Sequence, residues 1–144
     1  MFVAVLDLRT LRLRYSNGGH NPPFVISPGH VRQLDTAGSG VVLGAFEGLT
    51  YETSELSLHA GDGLLLYTDG VTEAADLDRT LFSEHRLTEF LSTADAAPEQ
   101  LIRGLTDEVR RFAGGAQPAD DMTALALRCL IPPGSRHLAS DSQG

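Results

Sequence analysis

Leu64-Leu65-Leu66-Tyr67-Thr68-Asp69-Gly70 is the stretch on which the reading of this chain turns. Leu64–Thr68 is short and apolar, which predicts a buried strand. It ends on a carboxylate, and a glycine follows at once. A strand gives that carboxylate rigid support, and glycine lets backbone pass close to whatever the carboxylate holds. Hard cations such as Mg²⁺ and Mn²⁺ take oxygen ligands in near-octahedral geometry, so a strand-end aspartate suits them. An Asp-Gly turn after a strand is also a common structural device. These seven residues alone leave both readings open.

Upstream the chain reads as β structure. Phe2–Leu8 is apolar except at Asp7, and Leu11, Leu13 and Tyr15 alternate with Arg12, Arg14 and Ser16. That period of two marks a half-buried strand, and the gap at Arg9-Thr10 predicts a hairpin. Asn17-Gly18-Gly19-His20-Asn21-Pro22-Pro23 is a dense turn, since glycine supplies unusual backbone angles and proline cannot donate to a ladder. Phe24–Ile26 and Val31–Leu34 predict a second hairpin around Pro28-Gly29. Gly38–Gly48 is glycine-rich and loop-like, Tyr51–Leu58 is a further strand, and Ala60–Gly63 is a turn.

Downstream the period changes. Ser83 is placed to cap a short helix carrying Leu87, Phe90 and Leu91 on one face. From Pro98 to Phe112, Leu101, Ile102, Leu105, Val109 and Phe112 form a helical stripe. Pro98 near its start and Gly114-Gly115 at its end fit the asymmetry of helix termini. Met122–Leu130 returns to an apolar strand, and residues from Pro132 onward predict a disordered tail. Several strands, two helices and a last strand imply an α+β layered domain.

Asp120-Asp121 stands just before that last strand. Adjacent acids repel unless something positive lies near them. A metal would serve, and so would solvent around an acidic loop. Asp69 and Asp120 gain meaning together, because neighbouring strands of one sheet bring both ends to one edge.

Composition narrows the classes. The chain has 144 residues, a net charge of −8 and 11 basic residues, all arginine. That suits one domain with a real core. No basic cluster exceeds Arg110-Arg111, which argues against a nucleic-acid surface. No apolar run approaches a membrane span, and Met1 runs into Phe2–Val5 with no basic leader region, so a cytoplasmic location is expected. The one cysteine, Cys129, sits in an apolar run and reads as a buried thiol. It also removes cysteine-based zinc sites, and the histidines lack zinc spacing. There is neither a phosphate-cradling lysine loop nor a nucleophile-elbow serine.

Four segments in order then carry a resemblance: Asn17–Pro23, Leu43-Gly44, Gly61–Ala74 and Asp120-Asp121-Met122-Thr123. Over roughly Met1 to Leu130 the chain resembles the SpoIIE/RsbU-type phosphatases, bacterial members of the metal-dependent, 2C-like protein phosphatase family. The resemblance implies a β-sandwich flanked by helices, with two Mn²⁺ or Mg²⁺ ions at one end. It implies hydrolysis of phosphoserine or phosphothreonine in a regulatory protein, such as an anti-sigma-factor antagonist, by water rather than by a nucleophilic side chain. By position Asp69 and Asp120 match the family's metal ligands. Gly70, Asp121 and His20 then lie near the site.

One part of the family pattern is missing. The family carries an earlier aspartate and a Gly-His-Gly turn, and its aspartate bridges both metals. This chain has no such segment. The expectation is therefore a C-terminal portion of the domain over residues 1–130, incomplete at its N-terminus. On that reading one ion binds weakly, and the chain alone is nearly inactive. An incomplete layer would also expose sheet surface and favour a homodimer or pairing with the missing segment. A non-catalytic phosphoprotein-binding module is the alternative.

Overall fold

The computed structural model describes residues 1–36, 41–94, 97–117 and 120–130. The tail expected from Pro132 onward lies outside the described residues, as does the start of the Gly38–Gly48 loop.

Strands β1 (Phe2–Asp7) and β2 (Arg12–Asn17) form the first hairpin, with Phe2 opposite Asn17 and Asp7 opposite Arg12. Asp7 closes its turn: Oδ1 accepts from the Arg9 and Thr10 amides at 2.8 and 3.1 Å. Leu8, expected in the strand, instead belongs to this turn and is exposed. Strand β3 (Phe24–Ser27) and β4 (His30–Gln33) make the second hairpin. The Tyr51–Leu58 strand is shorter than its pattern suggests, since only β5 (Ser54–Ser57) pairs, antiparallel to β2. Strand β6 (Gly63–Tyr67) and β7 (Ala124–Arg128) complete the set. Two antiparallel sheets result, of order β1-β2-β5 and β4-β3-β6-β7.

Alternation along each strand explains the layers. Val25 and Leu64 point toward the three-stranded sheet and pack with Leu13, Tyr15, Leu34, Leu58 and Cys129. Their neighbours Phe24, Ile26, Leu65 and Tyr67 point the other way, against helices α2 (Ser83–Thr93) and α3 (Pro98–Ala113). Leu87, Leu91, Leu101, Leu105 and Val109 fill the second core. The helical stripe of α3 is thus realised. Pro98 lies in its first turn and Gly114 ends it in the left-handed region at φ 58°. Cys129 is buried as expected.

Two local expectations fail. Ser83 makes no capping hydrogen bond; Phe82 holds the cap position and Ser83 itself has φ 69°. Burial decides this, because Phe82 is wholly enclosed and meets Phe112 edge-on with ring centroids 5.5 Å apart. Second, the chain does not turn freely at Asp69-Gly70 but enters a one-turn helix, α1 (Asp69–Thr72), so there are three described helices rather than two.

The turn into β6 is held by a buried acid. Asp62 accepts the His59 amide at 2.8 Å, while the Gly61 amide donates to Cys129 O and the Cys129 amide to Asp62 O, tying the turn to the end of β7. Burial works against ionisation of Asp62, but the hydrogen bonds from His59 and Ser27 outweigh it and hold the carboxyl below its usual range. Burial, and then the Asp62 charge, push the Cys129 thiol up. Among the described residues no helix is long and apolar enough to cross a membrane.

Candidate functional site

Strands β6 and β7 are antiparallel neighbours, with Tyr67 opposite Ala124. The end of β6 and the start of β7 therefore fall on one edge, carrying Asp69 and Asp120 there together. The junction is tied by Thr68. Its amide donates to Thr123 O at 3.0 Å, and its Oγ1 accepts from the Thr123 amide at 3.0 Å. The hydroxyl also reaches Asp121 O at 3.3 Å. Nothing in the sequence singles out Thr68 beyond its place before Asp69, and this latch is a tertiary feature.

Gly70 has a definite role in the geometry. A Cβ there would lie 2.5 Å from Asp121 O and 2.9 Å from the Asp121 carbonyl carbon. What passes close to the glycine is thus the backbone of the acidic pair itself. The missing side chain lets α1 press against the segment leading into β7.

Both candidate ligands are exposed, and each is oriented by its own neighbour. Asp69 Oδ1 accepts from the Gly70 amide at 3.0 Å, and Asp120 Oδ1 from the Asp121 amide at 2.7 Å. The second oxygen of each has no donor among the described residues. Asp121 is exposed, and its backbone carbonyl, not its carboxylate, makes the contact with Thr68.

His20 belongs to the same end of the molecule. Strand β3 starts at Phe24, opposite Leu65 near the end of β6, so the segment before β3 lies at the edge where β6 finishes. Asn17 organises that segment. Although buried, its amide donates to His20 O at 2.7 Å and its Oδ1 accepts from the His20 amide at 2.8 Å. The His20 ring is engaged locally, with Nδ1 2.6 Å from Asn21 O and its centroid 6.0 Å from the Phe2 ring. Among the described residues no hydrogen bond or ring contact joins His20 to Asp69 or Asp120. Asn17 was hidden in the sequence because Asn before Gly-Gly reads simply as a turn residue.

The fit to a metal is partial. Among the described residues no group of three His, Cys, Asp or Glu side chains is arranged to hold an ion. Two carboxylates on one edge can contribute to a hard-cation shell but cannot complete one, since Mg²⁺ requires near-octahedral oxygen coordination.

Beside this edge is a cavity of about 370 Å³ between α1, the end of α3 and the entry to β7. Gly70, Asp120 and Arg110 are among its lining residues. Arg110 makes no ion pair among the described residues, whereas its neighbour Arg111 is paired with Glu108. Sequence reading noted the arginine pair only as a small basic spot and missed this placement.

A family model described as Stage II sporulation protein E (SpoIIE) matches residues 1–130. The chain is 30% identical over 128 residues to Protein IcfG of Synechocystis sp., covering 88% of this chain and 20% of that protein. It is 26% identical over 137 residues to Phosphoserine phosphatase RsbU of Bacillus subtilis, covering 89% of this chain and 38% of the relative. The chain thus spans less than half the length of these relatives. Among solved structures, the phosphatase domain of the cell fate determinant SpoIIE from Bacillus subtilis, presoaked with Mn, superimposes with a TM-score of 0.69 at 20% identity. That likeness covers 90% of this chain and 56% of that one, and it shows a shared fold.

Proposed function

This chain belongs to the SpoIIE family, and from that premise we propose that it supplies one edge of a divalent-metal site that hydrolyses phosphoserine or phosphothreonine in a protein. The observation that carries the reading is the juncture of β6 and β7. It sets two exposed aspartates at adjacent strand ends, each with an oxygen left for an outside partner. Asp69 and Asp120 bind the ion. Gly70 admits the close approach of the Asp121 backbone, and Asp121 and His20 line the surroundings.

Divalent cations supply Lewis acidity and a nucleophilic water for phosphate-ester hydrolysis. The chain's own contribution is to fix carboxylates on rigid strand ends, so that little reorganisation is needed when charge develops on phosphorus oxygens. Mn²⁺ and Mg²⁺ suit an oxygen-only donor set. With two carboxylates, we expect one weakly held ion and little turnover by the chain alone. The substrate class is a cytoplasmic regulatory phosphoprotein, and an anti-sigma-factor antagonist is the specific proposal. The similarity to a phosphoserine phosphatase supports phosphoserine as the ester.

Calorimetric Mn²⁺ titration together with p-nitrophenyl phosphate hydrolysis tests the reading. Weak Mn²⁺ binding, lost in Asp69→Asn and in Asp120→Asn, is the expected result. Binding that survives both changes would remove the proposed site. Fast Mn²⁺-dependent turnover abolished by Asp69→Ala would instead show that the donor set is sufficient by itself. A second reading, a phosphoprotein-binding module without catalysis, draws support from the short donor set. It expects phosphopeptide binding with no Mn²⁺ dependence.

A further inference from the structure

The cavity beside the Asp69–Asp120 edge has a chemistry of its own. Val109, Ala113 and Met122 give it apolar walls, while Glu73, Asp120 and Arg110 are its charged residues. Its volume, about 370 Å³, falls in the range of small ligand sites. Ala113 at the end of α3 and Ala74 and Ala75 just after α1 leave the space open rather than filling it. Because Gly70 and Asp120 line the cavity, it is continuous with the edge on which the phosphoester is proposed to sit. An occupant anchored there can place its next residue in the apolar part without leaving the protein surface.

Arg110 adds a charge argument. It is exposed, it projects from the last turn of α3, and no carboxylate among the described residues pairs with it. The surrounding chain carries a net charge of −8, so an anionic ligand needs a local cation to approach this face. Guanidinium is also the side chain best matched to phosphate, through two parallel N–H donors.

We infer that this cavity selects the substrate: it takes a large apolar side chain next to the phosphorylated serine or threonine, while Arg110 pairs with the phosphoryl group. The inference rests on the phosphatase reading above, and it names the kind of peptide that reading leaves open. Arg110 is a binding residue here, and the apolar walls are specificity determinants.

The test uses the full chain and fluorescein-labelled phosphoserine peptides, with binding followed by anisotropy in chelator so that no turnover intervenes. One peptide carries Leu beside the phosphoserine, a second carries Ser in its place, and a third carries Leu without the phosphate. The Leu phosphopeptide is expected to bind about tenfold tighter than the Ser phosphopeptide, the discrimination an apolar pocket provides. Ala113→Trp, which fills the cavity, should erase that preference. Arg110→Ala should weaken both phosphopeptides by about tenfold and leave the unphosphorylated peptide unchanged, with partial recovery in Arg110→Lys. Should Ala113→Trp fail to fold by circular dichroism, Arg110→Ala on its exposed site still decides the charge half.

Equal binding of the Leu and Ser phosphopeptides, or indifference to Arg110→Ala, would overturn the inference. Mn²⁺ titration of the same samples separates the two levels. If Mn²⁺ binds at Asp69 and Asp120 yet the peptides are indistinguishable, the pocket inference falls alone. If the pocket selects Leu and Mn²⁺ does not bind, the metal reading falls and the pocket stands as a binding site.

Discussion

A Cβ at position 70 would lie 2.5 Å from Asp121 O, a contact no relaxation of a side-chain tip can relieve because the obstacle is backbone. Gly70→Ala must push α1 off the entry to β7, and overpacking of this kind costs about 1–3 kcal/mol. Urea unfolding of Gly70→Ala is expected to show that loss, and a change within experimental error would refute the close approach. Asp69 and Asp120 behave oppositely. They are exposed, so Asp69→Asn and Asp120→Asn should shift stability by less than about 0.5 kcal/mol while weakening Mn²⁺ binding, a separation that marks residues kept for a ligand rather than for the fold. Asn17 is the structural counterpart. Its buried amide makes two hydrogen bonds to the His20 backbone. Asn17→Ala leaves His20 groups unpaired and should cost about 1–3 kcal/mol in the same unfolding assay.

At the scale of elements, the β6–β7 pair and the α3 helix divide the work. The pair creates the edge, and α3 covers its far face with Leu101, Leu105 and Val109. Leu105 is almost fully enclosed, so Leu105→Ala should cost about 2–5 kcal/mol, measured by thermal or urea denaturation. The turn before β6 makes the element sensitive to acid. Asp62 is held below the usual carboxylate range in the folded chain by its hydrogen bonds from His59 and Ser27. A depressed folded value contributes stability above the unfolded value and loses it as pH falls through the folded one. Stability should therefore decline as pH drops below about 4, and Asp62→Asn should flatten that decline. An unchanged acid limb in the variant would assign it to other carboxylates.

For the molecule as a whole, the helices cover one face of one sheet, and the outer face of the β1-β2-β5 sheet is left to solvent among the described residues. Val3 and Val5 stand there 51% and 68% exposed on edge strand β1. An apolar edge strand invites pairing. We expect concentration-dependent dimerisation of the chain in sedimentation equilibrium, reduced by Val5→Lys; an ideal monomer at high concentration would contradict it. Arg12 and Arg14 flank the same face but are drawn to Glu55, which lessens their value as gatekeeping charges.

The layered α+β class, the two hairpins, the α3 stripe with its glycine end and the burial of Cys129 were all determined by sequence alone, because each is written in local periodicity or in turn chemistry. So was the family likeness, carried by ordered motifs. Tertiary structure decided what local pattern cannot encode. Phe82 took the cap position from Ser83 because core burial outweighs a surface hydrogen bond. Asp69-Gly70 became the start of a helix because its neighbour across the sheet is the Asp121 backbone. Arg110 came to line the same cavity as Asp120, 10 residues further along the chain, through the packing of α3 against β7. The juncture of Asp69 with Asp120 belongs to both levels: the sequence supplies two strand-end acids, and antiparallel pairing of β6 with β7 puts them on one edge.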